Sequence, residues 1–136
     1  MTVRMLRRYT QNAPAAQLPI LPNCPNVRAG LGLRPLMSFM TSAEIEFGVI
    51  RRNWGQESRQ RLEQYLSQYY SVIHSNDALC RVWAHLKAES KLAGKILPES
   101  DAWNAGLAVL LDVPLLSHNR KHYEHLSQLK LISMPD

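Results

Sequence analysis

The first 36 residues of this chain contain no Asp and no Glu, although they carry Arg4, Arg7, Arg8, Arg28 and Arg34. Residues 37–136 hold 11 basic against 11 acidic residues and are formally neutral. The net charge of +5 therefore describes the N-terminal segment, and it says little for a basic nucleic-acid-binding face on the rest. Cysteine is scarce. Cys24 and Cys80 form neither a zinc-type pair nor a disulfide framework, so a reducing compartment, the cytoplasm, is the expectation. Glycine is scarce too, with six residues, and Gly30-Leu-Gly32 stands without the strand and helix that a phosphate loop requires. No apolar run approaches the length of a membrane span, and no nucleophile elbow or internal repeat is present.

What remains is a chain of 136 residues with an apolar fraction of 46%, enough for one globular domain with a real core. Residues 1–35 read as a basic, Pro-rich arm. The first 36 residues hold five of the eight prolines and no persistent helical or strand period. Their arginines invite a targeting-peptide reading, which the lack of an apolar core or an amphipathic helix disfavours. Residues 36–136 read as the domain.

Leu36–Met40 is a short apolar run suited to a buried strand. Thr41-Ser-Ala-Glu44 fits a capping box, so Thr41 is expected to start a helix. Ala43, Phe47, Ile50 and Trp54 share one helical face, and Gly55 is placed to end that helix. A second helix is expected over Glu57–Ser67 with Leu62, Tyr65 and Leu66 inward, then a β-prone run at Tyr69–Ile73. Asn76 or Asp77 can cap a helix that Gly94 stops, with Leu79, Val82, Trp83 and Leu86 buried. Pro98 opens a small-residue helix with Glu99 and Asp101 in its first turn. A turn at Asp112, a strand over Val113–Ser117, a short helix over His122–Leu126 and an edge strand at Lys130–Ile132 complete the order. Helices alternating with short apolar strands predict an α/β fold, a parallel sheet flanked by helices.

Glu44 and Asp101 are the candidate acids, each near the start of a helix, and Asn119 follows a strand. Two carboxylates and an amide suit Mg²⁺ or Mn²⁺. Capping and helix-dipole roles explain both acids equally well, and spacing alone favours those roles. His118, His122 and His125 raise a zinc site, without a Cys or acidic partner to complete it. Arg120 and Lys121 could meet phosphates or simply face solvent. Trp54, Trp83 and Trp103 read as core or partner-contact residues.

Ser38-Phe-Met-Thr41-Ser-Ala-Glu44 with Gly48, Pro98-Glu-Ser-Asp101-Ala-Trp, and Pro114-Leu-Leu-Ser-His-Asn119-Arg-Lys-His122-Tyr123 resemble, in this order, the motifs of PIN-domain ribonucleases of the VapC toxin family. Arg51-Arg-Asn-Trp-Gly55 is similar to a subgroup. The resemblance covers about residues 36–133. It implies a PIN-like three-layer α/β fold and an acidic cluster binding Mg²⁺ or Mn²⁺ that activates water to hydrolyse RNA. It also implies a homodimer and a VapB-type antitoxin as partner. Glu44 and Asp101 match the second and third acidic positions, and Asn119 matches the polar residue after the fourth strand. His122 stands where many members have Asp. The family's opening strand, ending in Asp-Thr-Asn, has no counterpart in residues 1–36, which suggests a frame-shifted or misassigned start. The implied function is an endoribonuclease toxin of a type II toxin–antitoxin system with impaired metal binding. The alternative is an inactive toxin that acts only by binding antitoxin.

Overall fold

A computed structural model describes residues 36–117 and 119–133. The expectations for residues 1–35, including the absent first strand, and for His118 lie outside the described residues. The described residues form two compact units, one of residues 36–37 and 42–73, the other of residues 38–41 and 74–133. The order of elements is β1 (Leu36–Ser38), α1 (Phe39–Arg51), α2 (Gln56–Tyr69), β2 (Ser71–Ile73), α3 (Asp77–Leu92), α4 (Glu99–Leu110), β3 (Leu115–Ser117), α5 (Arg120–Tyr123) and β4 (Leu131–Ser133). Among the described residues β1 pairs with β2, and β3 pairs with β4. The β3–β4 pair is parallel, with Leu115 opposite Leu131 and Ser117 opposite Ser133. No described helix is long and apolar enough to cross a membrane.

The opening strand is shorter than its apolar run suggested. Ser38 ends it, because the Ser38 Oγ accepts the Thr41 backbone N–H at 3.2 Å and so caps a helix starting at Phe39. Thr41 is therefore the third helical residue and not the cap. The expected capping box between Thr41 and Glu44 does not form, since Glu44 lies inside the helix. The buried face of α1 is also rotated from the expected one. Ile45 and Val49 are buried, while Phe47 and Ile50 are 63% and 59% exposed. Two apolar stripes run along this helix, and sequence period alone does not say which one turns inward.

In the unit of residues 36–37 and 42–73, Met37, Ile45, Val49, Leu62 and Tyr65 make the core, with Trp54, Leu66, Tyr69 and Tyr70 against it. In the other unit the core is Leu86, Leu97, Ala102, Ala105, Tyr123 and Leu126. Small residues let α4 approach α3 closely: a Cβ on Gly106 would sit 3.4 Å from Leu79 Cδ1 and 3.7 Å from the Trp83 nitrogen.

Three helices end alike. Trp54 N–H bonds the Val49 carbonyl and Asn53 N–H the Ile50 carbonyl. Lys95 and Gly94 repeat the pattern on Ser90 and Lys91, and Val113 and Asp112 repeat it on Ala108 and Val109. This is the Schellman closure, which needs a left-handed residue at its turn. Asn53, Gly94 and Asp112 supply it with φ of 50°, 65° and 54°. Gly94 and Asp112 stand where the sequence placed a stop and a turn. Gly55 does not end α1. It is the N-cap of α2 with φ −67°, and Asn53 takes the left-handed position instead. Asn76 caps α3 as expected, accepting the Leu79 N–H at 2.9 Å.

These assignments separate the two glycines. Gly94→Ala should lower stability by about 1–2 kcal/mol. Gly55→Ser, at an ordinary φ with open space around it, should be neutral or stabilising by up to about 1 kcal/mol. Urea midpoints read both, and equal losses at the two positions would contradict the placement of the left-handed residues.

Candidate active site

Asp101 is the third residue of α4, after Pro98 at the N-cap. Its carboxylate is only 15% exposed, and a buried charge of this kind needs hydrogen-bond partners. The segment after β3 provides them. Tyr123, itself buried, donates its hydroxyl to Asp101 Oδ1 at 2.8 Å, and His122 Nδ1 lies 2.5 Å from Oδ2. A carboxylate only accepts, so the imidazole carries its proton on Nδ1. Its Nε2 is left as the acceptor when the ring is neutral.

The loop carrying Asn119 is short and internally tied. Asn119 N–H bonds Ser117 Oγ at 3.0 Å, and His122 N–H bonds the Asn119 carbonyl at 3.0 Å. The Asn119 side chain is exposed and makes no cap bond at the start of α5. His122 and Tyr123 thus hold this loop to Asp101, with the Asn119 amide open to solvent.

A second polar group lies one turn along α4. Asn104, three residues beyond Asp101, accepts at Oδ1 from the Thr41 hydroxyl at 3.1 Å and from the Ser38 hydroxyl. The Ser38 and Thr41 hydroxyls are 3.3 Å apart, and both residues are buried. Residues three apart on a helix share a face, so Asp101 and Asn104 sit on one side of α4. Sequence reasoning passed over Asn104. Its one local signal was that spacing from Asp101.

Glu44 lies in α1, in the unit of residues 36–37 and 42–73. It is exposed and has no polar partner among the described residues. The capping duty that had explained it is absent. The histidines separate: His122 joins Asp101, whereas His125 Nε2 lies 2.7 Å from Ser90 Oγ. Ser90 Oγ donates to the Leu86 carbonyl at 2.8 Å, so it accepts from His125 Nε2–H. The zinc reading has no support among the described residues, where no group of three His, Cys, Asp or Glu could hold a metal. Arg120 and Lys121 are exposed.

For a hard cation the donor chemistry fits in a limited form. Each Asp101 oxygen accepts one hydrogen bond and keeps a further lone pair. Mg²⁺ is commonly bound through one or two carboxylates with several retained waters. Asp101 can serve as one such ligand. It does not form a closed cage.

No protein-family model matches this chain. It is similar to ribonuclease VapC1 of Haemophilus influenzae strain R2866, with 27% identity over 97 residues covering 71% of this chain and 72% of that protein. VapC1 of strain 86-028NP matches to the same extent. Among solved structures, VapBC-1 from nontypeable Haemophilus influenzae superposes with a TM-score of 0.70 at 24% identity, covering 79% of this chain and 82% of the other. VapBC2 from Rickettsia felis, solved bound to a promoter DNA fragment, gives 0.78 at 18% identity over 98% and 96%. Sequence relatives and solved structures agree: the chain has the PIN-like α/β fold of the VapC ribonucleases, the family its motifs resemble.

Proposed function

We propose that this chain is a metal-dependent endoribonuclease toxin of a type II toxin–antitoxin system that hydrolyses RNA phosphodiester bonds in the cytoplasm. The observation that carries the reading is the Asp101 carboxylate, held at the start of α4 by Tyr123 and His122, in a chain whose relatives are named ribonuclease VapC1. Glu44 supports it as an exposed acid with no polar partner among the described residues. By the motif resemblance Asp101 and Glu44 are the acids assigned to Mg²⁺ or Mn²⁺, an ion that, when bound, lowers the pKa of a water and neutralises charge on the phosphate. Tyr123 and His122 keep the Asp101 carboxylate in one orientation, and Asn119 offers an amide to orient water or substrate. The fold supports a VapB-type antitoxin as partner by likeness to the VapBC structures, and a homodimer by family resemblance.

A second reading, an inactive toxin that only binds antitoxin, is favoured by one observation. His122 stands where many members of the resembled family have an Asp, and its ring is bonded to Asp101 instead of adding a second carboxylate.

An RNase assay on the full chain separates the two readings. Cleavage should require Mg²⁺ or Mn²⁺, stop with EDTA, and fall about 100-fold or more in Glu44→Gln and in Asp101→Asn. Activity indifferent to both substitutions removes the assigned site. Antitoxin capture without any metal-dependent cleavage favours the second reading. Independently of activity, Tyr123→Phe should cost about 1.5–3 kcal/mol of stability through the lost bond to a charged group. An unchanged urea midpoint would show that the bond contributes nothing.

A further inference from the structure

We propose that Asn104 binds the RNA, donating from its side-chain amide to a non-bridging phosphate oxygen beside Asp101. This inference rests on the ribonuclease reading above. Among the described residues only one end of the Asn104 side chain has a partner. Oδ1 accepts from the Ser38 and Thr41 hydroxyls, and Ser38 Oγ is fixed in turn by the Thr41 backbone N–H. The orientation of the amide is therefore set by two buried hydroxyls anchored at the β1–α1 junction. With both hydroxyl protons directed at Oδ1, the two N–H groups point away, and they have no partner among the described residues. Asn104 is half-buried, and its amide nitrogen is not among the buried side-chain atoms that lack a partner.

A structural tie alone explains the acceptor end and leaves the donor end without a purpose. An Asp at this position would serve the two hydroxyls as well or better, since bonds to a charged acceptor are stronger. It would also put a second negative charge one turn from Asp101. Asn keeps the acceptor and replaces that charge with two neutral donors. Neutral donors beside a carboxylate suit a ligand that is itself anionic and rich in acceptor oxygens, and a phosphodiester is such a ligand. Because the side chain is already held in one rotamer, it loses little freedom when the phosphate arrives. Ser38 and Thr41 are then positioning residues that act through Asn104.

The test measures binding of a short, fluorescein-labelled, single-stranded RNA of mixed sequence to the full chain by anisotropy, beside thermal melting. Asn104→Asp keeps the acceptor for both hydroxyls and removes the donors, whereas Asn104→Ala removes both without adding charge. Both variants should weaken binding roughly 10- to 100-fold, the loss expected for a hydrogen bond to a charged group. Asn104→Asp should keep its melting temperature. Ser38→Ala and Thr41→Val, which unlock the amide without deleting it, should give a smaller loss. Asn104→Asp or Asn104→Ala binding RNA as tightly as the unaltered chain overturns the proposal and leaves the ribonuclease reading intact. An unaltered chain that neither binds nor cleaves RNA overturns that reading and this proposal with it.

Discussion

A carboxylate removed from water must be met by donors, and in this chain Asp101 is met by two side chains from one short segment. That constraint orders much of the unit in which it lies. The helix bearing His122 and Tyr123 has four residues, far too few to be stable by itself. It keeps its place because Tyr123 is buried in the core and both residues bond to Asp101. The segment runs on from β3 and leads to β4, so the same bonds fix how the chain leaves one strand and reaches its parallel neighbour. Removing the carboxylate would leave the Tyr123 hydroxyl without this acceptor, although the tyrosine ring would remain packed.

How much of this could be read from sequence depended on how local the interaction is. Helix stops and starts are decided within five or six residues, and Gly94, Asp112, Asn76 and Pro98 each stand where the pattern put them. The errors arose where two local solutions competed. Ser38 and Thr41 are both acceptable caps, and Ser38 prevails by bonding the third helical N–H. Asn53 and Gly55 can both close a helix, and the polar side chain of Asn53 tolerates the left-handed turn, leaving Gly55 to open α2. In α1 the choice between the Ile45–Val49 stripe and the Phe47–Ile50 stripe is made by what packs against the helix, which no period encodes.

The site shows the same division. Asp101 and Asn119 were visible because each stands at an element boundary with a characteristic local sequence. Asn104 was not, because its partners lie 63 and 66 positions away in the chain. Nothing in the helix around it marks an amide as different from any other polar residue on a partly exposed face. His122 was visible as a departure from the family's acid. Its part in the structure, a hydrogen bond from the ring to Asp101 across 21 positions of chain, is not encoded in any local pattern.

The two candidate acids consequently differ in kind. Asp101 has a structural duty, since its oxygens hold Tyr123 and His122, so a loss of activity on changing it mixes damage to the loop with damage to the chemistry. Glu44 is exposed, carries no cap and has no polar partner among the described residues. Surface positions of that sort tolerate substitution with stability changes within about 0.5 kcal/mol. An effect of Glu44 on catalysis is therefore hard to attribute to folding. An effect at Asp101 can be assigned to catalysis only for the part that exceeds the loss of its two hydrogen bonds. The acid that sequence spacing explained most readily as a cap thus becomes the more decisive reporter of function.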